Sequence, residues 1–228
     1  MVGPGGIGSA VAAELKRTCP DLKVLTAGRH GPPASSLQLD IENDSDLDGL
    51  SSSLHAEELP LRLVFNCSGR LHGPGLQPEK RLQQVDRSQL EQQFGINATA
   101  PILLAKAIEP LLQRDQPFHF ASLSARVGSI GDNRTGGWYG YRAAKAAQNQ
   151  LLRCLSIEWA RRWPLATVSL LHPGTTDTDL SRPFQSFVAA DKLFSPERAA
   201  RQLVEVLLQQ TPEQSGAFLA WDGQSIDW

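Results

Sequence analysis

The sequence predicts an α/β sandwich with a mainly parallel central sheet, on three observations. Short apolar runs alternate with long helical patterns, a glycine-rich turn at residues 3–8 leads straight into a helix, and no repeat, low-complexity tract or linker divides the 228 residues. A single domain over residues 1–228 is therefore expected, large enough to bury a core without crosslinks or metal. Hydrophobic residues make up 41% and charged residues 20%, with a net charge of -2, which gives no electrostatic ground for a nucleic-acid or anionic-membrane partner. Cys19, Cys67 and Cys154 are scattered and form no CxxC pair. They read as reduced core thiols of a cytoplasmic protein with no metal site, targeting leader or membrane span.

The first element is a helix over residues 9–16, where alanines and spaced apolar residues follow the turn. Residues 22–27 read as a strand stopping at Gly28-Arg29, and residues 37–39 as another ended by Asp40, with Asp44 placed to cap the helix that follows. Residues 61–65 form a buried strand that runs into Asn66-Cys67-Ser68-Gly69. After a polar excursion over residues 70–86, residues 90–113 carry a long helical pattern that Pro101 bends or restarts and Pro110 closes. Residues 118–124 are the next strand, residues 128–137 a loop, and residues 139–163 a second long helix. A strand at residues 165–171 is stopped by Pro173-Gly174, Pro196 opens a helix running to residue 209, and residues 217–221 are the last strand. Sheets of this kind leave a crevice at the carboxyl ends of their strands, where a site is expected.

Tyr141 and Lys145 lie four apart, so a helix puts them on one face. A phenol of ordinary pKa, about 10, is inert at neutral pH until a cation favours its phenolate, and Lys145 can be that cation. Packing of Tyr141 beside a solvated lysine is the plain alternative.

The run Ser122-Leu123-Ser124-Ala125-Arg126-Val127-Gly128-Ser129-Ile130 continues through Asp132-Asn133-Arg134 and Gly136-Gly137-Trp138-Tyr139 to Tyr141-Arg142-Ala143-Ala144-Lys145. It resembles the short-chain dehydrogenase/reductases, specifically their C-factor-like branch. Asn66-Cys67-Ser68-Gly69, Phe94-Gly95-Ile96-Asn97 and Pro173-Gly174-Thr175-Thr176-Asp177-Thr178 resemble three further segments of that superfamily, in the expected order. The resemblance implies a Rossmann-like three-layer sandwich and NADP-dependent hydride transfer between nicotinamide and a small carbonyl or alcohol substrate. It implies Tyr141 as acid/base, Lys145 as its electrostatic partner, Ser124 (with Ser122 as rival) orienting the reacting oxygen, and Asn97 holding a relay water.

For the cofactor, the resemblance implies Gly3, Gly6, Ile7 and Gly8 at the pyrophosphate and Arg29 on the extra phosphate of NADP. Asp40 and Ile41 fall at the adenine, Asn66 and Gly69 near its ribose, and Tyr141 and Lys145 in the reacting half. Pro173, Gly174, Thr176 and Thr178 border the nicotinamide and pyrophosphate. A homo-dimer or homo-tetramer through the two long helices is implied as well. Trp138, Arg126, His72 and the segment 180–194, with Phe184, Phe187 and Phe194, are candidates for the mouth, which suits an apolar carbonyl compound.

One departure stands out. Gly6-Ile7-Gly8 matches the end of the superfamily's Gly-x-x-x-Gly-x-Gly, which puts Val2 at the first glycine and leaves the first, central strand missing. The alternative function is therefore a catalytically impaired relative that acts as an NADP(H)-binding or protein-interaction module.

Overall fold

In the computed structural model, residues 1–30 and 36–228 are described. Helix α1 (Gly6–Thr18) follows the glycine-rich turn directly, and β1 (Ala27–Gly28) pairs parallel with β2 (Leu37–Gln38). Helix α2 (Asp44–His55) leads to β3 (Leu63–Asn66), followed by α3 (Arg87–Phe94) and α4 (Ala100–Ile108). Strand β4 (Phe118–Leu123), the long α5 (Tyr139–Arg162) and β5 (Ala166–His172) come next. A small ladder of β6 (Thr175–Thr176) with β7 (Leu193–Phe194), then α6 (Pro196–Gln209) and β8 (Ala217–Ala220), complete the order. Strands β3, β4, β5 and β8 lie side by side, all parallel, as the α/β alternation requires.

Strand alternation builds the three layers. Phe118 and Phe120 of β4 enter one core with Leu104 and Ile108 of α4 and Trp159 of α5, whose ring meets both phenylalanines edge to face. Ala121 and Leu123 of the same strand enter the other core with Val11 and Leu15 of α1 and Leu203 and Leu207 of α6. Ser195 caps α6 through the Arg198 N–H, and Pro196 follows at its first turn, as Pro196 predicted.

The place of the expected first strand is held by Met1–Gly3 alone. Val2 forms isolated parallel bridges to Ala27 on one side and Asn66 on the other. Val2 N–H donates to Phe65 O at 2.9 Å, Cys67 N–H to Val2 O at 2.8 Å, Gly3 N–H to Ala27 O at 2.9 Å and Ala27 N–H to Met1 O at 2.7 Å. Beyond them a cavity of about 820 Å³ opens between Leu22–Leu25 and Leu61–Phe65, bounded by Leu104 and Ile108. It lies toward the amino ends of the strands, away from Tyr141 and Lys145. Only Ala27 of the expected strand over residues 22–27 is in a ladder, because the ladder partners on this side extend no further than Met1.

Three other expectations change. Asn43, not Asp44, caps α2, its side chain accepting from Ser45 N–H at 3.0 Å, while Asp44 is the first helical residue. The helical stretch expected over residues 90–113 is broken into α3, a π segment at Gly95–Thr99, α4 and a 3-10 turn at Glu109–Leu111. The backbone stays right-handed helical from Phe94 through Thr99 and Ala100 into α4, so Pro101 sits inside a continuing helix directly after the wider π turn. Cys154 is exposed, and Cys19 and Cys67 are both half-buried, so the three are not fully enclosed core thiols; desolvation pushes the Cys67 thiol up to about 12.

Candidate active site

The chemistry-bearing residues gather at the carboxyl ends of β3, β4 and β5. Tyr141 sits in the first turn of α5, 7% exposed, and Lys145 one turn later at 3%. Their spacing places the Lys145 ammonium 5.9 Å from the centre of the Tyr141 ring. Lys145 Nζ donates to Leu123 O and to Gln148 Oε1, both at 2.9 Å. Burial lowers the Lys145 pKa to about 7, partly opposed by Cys67, and burial raises that of Tyr141 well above the usual phenol value. Desolvation of the phenol thus outweighs the expected pull of the lysine charge.

Helix α5 starts without a side-chain cap of its own: Trp138, at φ 51°, precedes it in the left-handed region. Buried Glu79, from the polar excursion, supplies the cap. Its carboxylate accepts the Gly140 N–H at 3.3 and 3.2 Å, and its carbonyl accepts from Trp138 N–H.

Ser124 follows β4, and its hydroxyl donates to Asn149 Oδ1 at 2.6 Å. Ser122, the rival, is enclosed: its hydroxyl oxygen accepts from Asn66 Nδ2 at 3.0 Å and Gln148 Nε2 at 2.8 Å, pinning β3 to β4 and α5. Asn66 also accepts the Ser68 N–H at 3.0 Å, shaping the loop after β3.

Asn97 lies in the π segment, fully buried, and is fastened on all sides. Its Nδ2 donates to Arg70 O at 2.8 Å and Gln93 Oε1 at 2.7 Å, and its Oδ1 accepts the Arg70 N–H at 3.1 Å. A β-carbon on Gly69 would come 3.1 Å from Asn97 Oδ1 and 3.7 Å from Lys145 Nζ, so the loop after β3 runs between these two groups. Asn97, Gly69, Lys145, Tyr141 and Ser124 therefore converge. Gln93, Gln148 and Asn149 hold the set, and the sequence reading missed them. Asn149 continued the four-residue interval from Tyr141 and Lys145, which was the available signal.

The turn before α1 closes on the loop after β5. A β-carbon on Gly8 would meet Gly3 O at 2.1 Å, and one on Gly6 would meet Thr178 Cγ2 at 2.7 Å, so the turn packs backbone on backbone at Gly8 and against the Thr178 methyl at Gly6. Gly5 and Gly6 are exposed and Ile7 half-buried, leaving the amino end of α1 accessible. Thr176 is buried, and Pro173, Gly174 and Thr178 are partly so, along the stretch braced by β7. Arg29 is exposed directly after β1. Ile41 is buried, and the Asp40 carboxylate accepts the Glu42 N–H at 3.0 Å in a turn after β2. At the mouth, Trp138 meets Tyr141 at 6.3 Å and Phe184 at 4.9 Å between ring centres, and Phe184 meets His72 at 5.8 Å. Phe194 packs on Trp221 instead, Arg126 pairs with Asp132, and the Phe187 side chain lies outside those described. Among the described residues no His/Cys/Asp/Glu group is placed to hold a metal, and no helix is long and apolar enough to cross a membrane.

A family model described as enoyl-(acyl carrier protein) reductase matches residues 5–225. A 1-hydroxy-2-glutathionyl-2-methyl-3-butene dehydrogenase of Rhodococcus is 30% identical over 190 residues, 83% of this chain and 78% of the relative. The chain belongs to the short-chain dehydrogenase/reductase superfamily. Another relative of this short-chain dehydrogenase/reductase, the C-signal protein of Myxococcus xanthus, is 33% identical over 147 residues, 64% of this chain and 83% of the relative. The Drosophila melanogaster carbonyl reductase Sniffer superposes with a TM-score of 0.84 at 23% identity, over 100% of this chain and 97% of that one. The NADPH-bound carbonyl reductase from chicken fatty liver does so with a TM-score of 0.82 at 20% identity, over the same shares. At these identities the two structures share the fold.

Proposed function

We propose that this chain is an NADP(H)-dependent oxidoreductase that interconverts a small apolar carbonyl compound and its alcohol. The observation that carries this reading is the convergence of buried Tyr141 and Lys145 with Ser124 and Asn97 at the strand ends. The cofactor reading is supported by the accessible amino end of α1, whose N–H groups suit a pyrophosphate, and by exposed Arg29, whose guanidinium suits the additional phosphate of NADP. The NADPH seen in the chicken relative is in line with that chemistry. The run through Tyr141-Arg142-Ala143-Ala144-Lys145 and the likeness to C-signal favour the C-factor-like branch.

When bound, the nicotinamide supplies or accepts hydride at carbon. Tyr141 supplies the proton. Its raised pKa keeps the phenol protonated at neutral pH, the form needed to give a proton to the oxygen of a carbonyl being reduced. Ser124 would hold that oxygen by turning its hydroxyl away from Asn149, and Lys145 would balance the phenolate left behind, with the one N–H not given to Leu123 O and Gln148 left for the cofactor ribose. Asn97 fixes the loop at Arg70, and with both its N–H groups spent it would hold the relay water through the remaining lone pair of Oδ1. Trp138, Phe184 and His72 exclude solvent at the mouth and favour an apolar substrate.

NADPH titration of the purified chain, followed by carbonyl-substrate screening, tests the reading. Tyr141→Phe should cut turnover on the order of 10²- to 10⁴-fold while NADPH affinity stays within a few-fold. Unchanged turnover would refute the proton-transfer role. A second reading, an NADP(H)-binding module without turnover, is favoured by the engagement of Lys145 Nζ on Leu123 O and Gln148. It predicts saturable NADPH binding with no reduction of any carbonyl tried.

A further inference from the structure

Lys145 is buried without a counter-ion. The titratable groups beside it among the described residues are Tyr141 on α5 and Cys67 in the loop after β3. Both are uncharged at neutral pH, since burial holds the Tyr141 phenol well above its ordinary value and pushes the Cys67 thiol up to about 12. No carboxylate pairs with Lys145 among the described residues. Its ammonium therefore depends on neutral acceptors, Leu123 O and Gln148 Oε1, both at 2.9 Å.

The Leu123 carbonyl is fixed by β4, whereas Gln148 is a side chain that something must hold. Gln148 is fully buried and lies three residues after Lys145, on the same face of α5. Its Nε2 donates to Ser122 Oγ at 2.8 Å and to Leu123 O at 3.2 Å. Turning the amide over would set its N–H groups against the ammonium and its oxygen against the Leu123 carbonyl, so one orientation alone fits. Ser122 Oγ also accepts from Asn66 Nδ2 at 3.0 Å, and Asn66 Oδ1 accepts the Ser68 N–H at 3.0 Å. A continuous chain of hydrogen bonds thus runs from the loop after β3 through Asn66, Ser122 and Gln148 to Lys145.

We propose that Gln148 is a positioning residue for Lys145: held by Ser122 and Asn66, it keeps the buried lysine an ammonium and fixes the direction of the one N–H left for the cofactor. This rests on the reading of Lys145 as the partner of Tyr141 and of the cofactor. Burial already brings the Lys145 pKa to about 7, so the loss of one acceptor is enough to leave the lysine neutral at neutral pH.

The test follows the Lys145 ε-carbon by NMR through a pH titration of the cofactor-free protein, beside NADPH affinity and carbonyl reduction. Gln148→Met keeps the length of the side chain and removes its acceptor and donor. Lys145 should then titrate about one pH unit lower, the size expected for one hydrogen bond to a charged group. NADPH affinity near neutral pH should weaken on the order of 10-fold, and kcat for reduction should fall more at about pH 8 than at about pH 6. Gln148→Glu presents an acceptor to Lys145 whether its carboxyl is ionised or protonated, so Lys145 should titrate at or above its wild-type value. A packing role would make the two variants alike. Ser122→Ala, acting through Gln148, should lower the Lys145 titration by less than Gln148→Met and add nothing in the double variant. It decides the matter if the methionine variant does not fold. A Lys145 titration unmoved in Gln148→Met, or a glutamate variant that falls as far as the methionine one, overturns the assignment. A wild type that binds NADPH without turnover overturns the enzymatic reading, while the Lys145 titration still decides this one.

Discussion

Burial at the end of β4 acts on two neighbouring side chains in opposite directions, raising the pKa of Tyr141 and lowering that of Lys145 to about 7. An unfolded lysine titrates near 10.5, so between pH 7 and 10.5 the unfolded chain holds more protons at this position and stability rises with pH. Below pH 7 the buried ammonium exerts its whole destabilising effect. Lys145→Met should therefore raise the melting temperature of the cofactor-free protein at pH 6, with the gain shrinking as pH approaches 10. A gain independent of pH across a series of melts would show that the lysine is not desolvated. Tyr141 and Lys145 were legible because a four-residue interval has one geometric meaning on a helix. Gln93, Gln148 and Asn149 were not, because a polar residue in a helix reads as solvent-facing until its partner is known. Ser122 and Ser124 stand 26 and 25 residues from Gln148 and Asn149.

At the scale of elements, α5 depends on a residue far from it in sequence. Glu79 is 3% exposed and caps Gly140 from 61 residues away. Glu79→Ala should lower stability by about 1–2 kcal/mol, the range for losing a helix cap and leaving an amide unmatched. Chemical denaturation checks this, and a change below about 0.5 kcal/mol would mean that solvent replaces the carboxylate. The excursion over residues 70–86 read as surface because it is rich in proline, glycine and charge, none of which marks a cap in trans. Helices α5 and α6 were legible nearly to their ends, since apolar period, Pro196 and the flanking loops agree. The π segment at Asn97 was not, because Gly95–Thr99 keeps the helical pattern while one extra residue is accommodated in the turn.

For the whole molecule, the mainly parallel sheet followed from the alternation of apolar runs and helices, and the candidate residues gather at the carboxyl ends of its strands. The cavity beneath Met1 was less legible. The late glycine-rich turn implied that the first strand is missing, whereas Val2 bridges both neighbours in its place, and the depth of the opening depends on Leu22–Leu25 and Leu61–Phe65 keeping their separation.

Val2, bridged on both sides, has a thermodynamic consequence. The β1–β2 ribbon is joined to the larger ladder through Met1–Gly3, whereas β4 and β5 are paired along their full lengths. A short seam of this kind allows one part of a sheet to open while the remainder stays native. Native-state hydrogen exchange should then give the amides of Ala27, Leu37 and Leu39 a lower opening free energy than those of Phe120, Val168 and Leu170. Equal values at all six would mean that the molecule unfolds only as one cooperative unit.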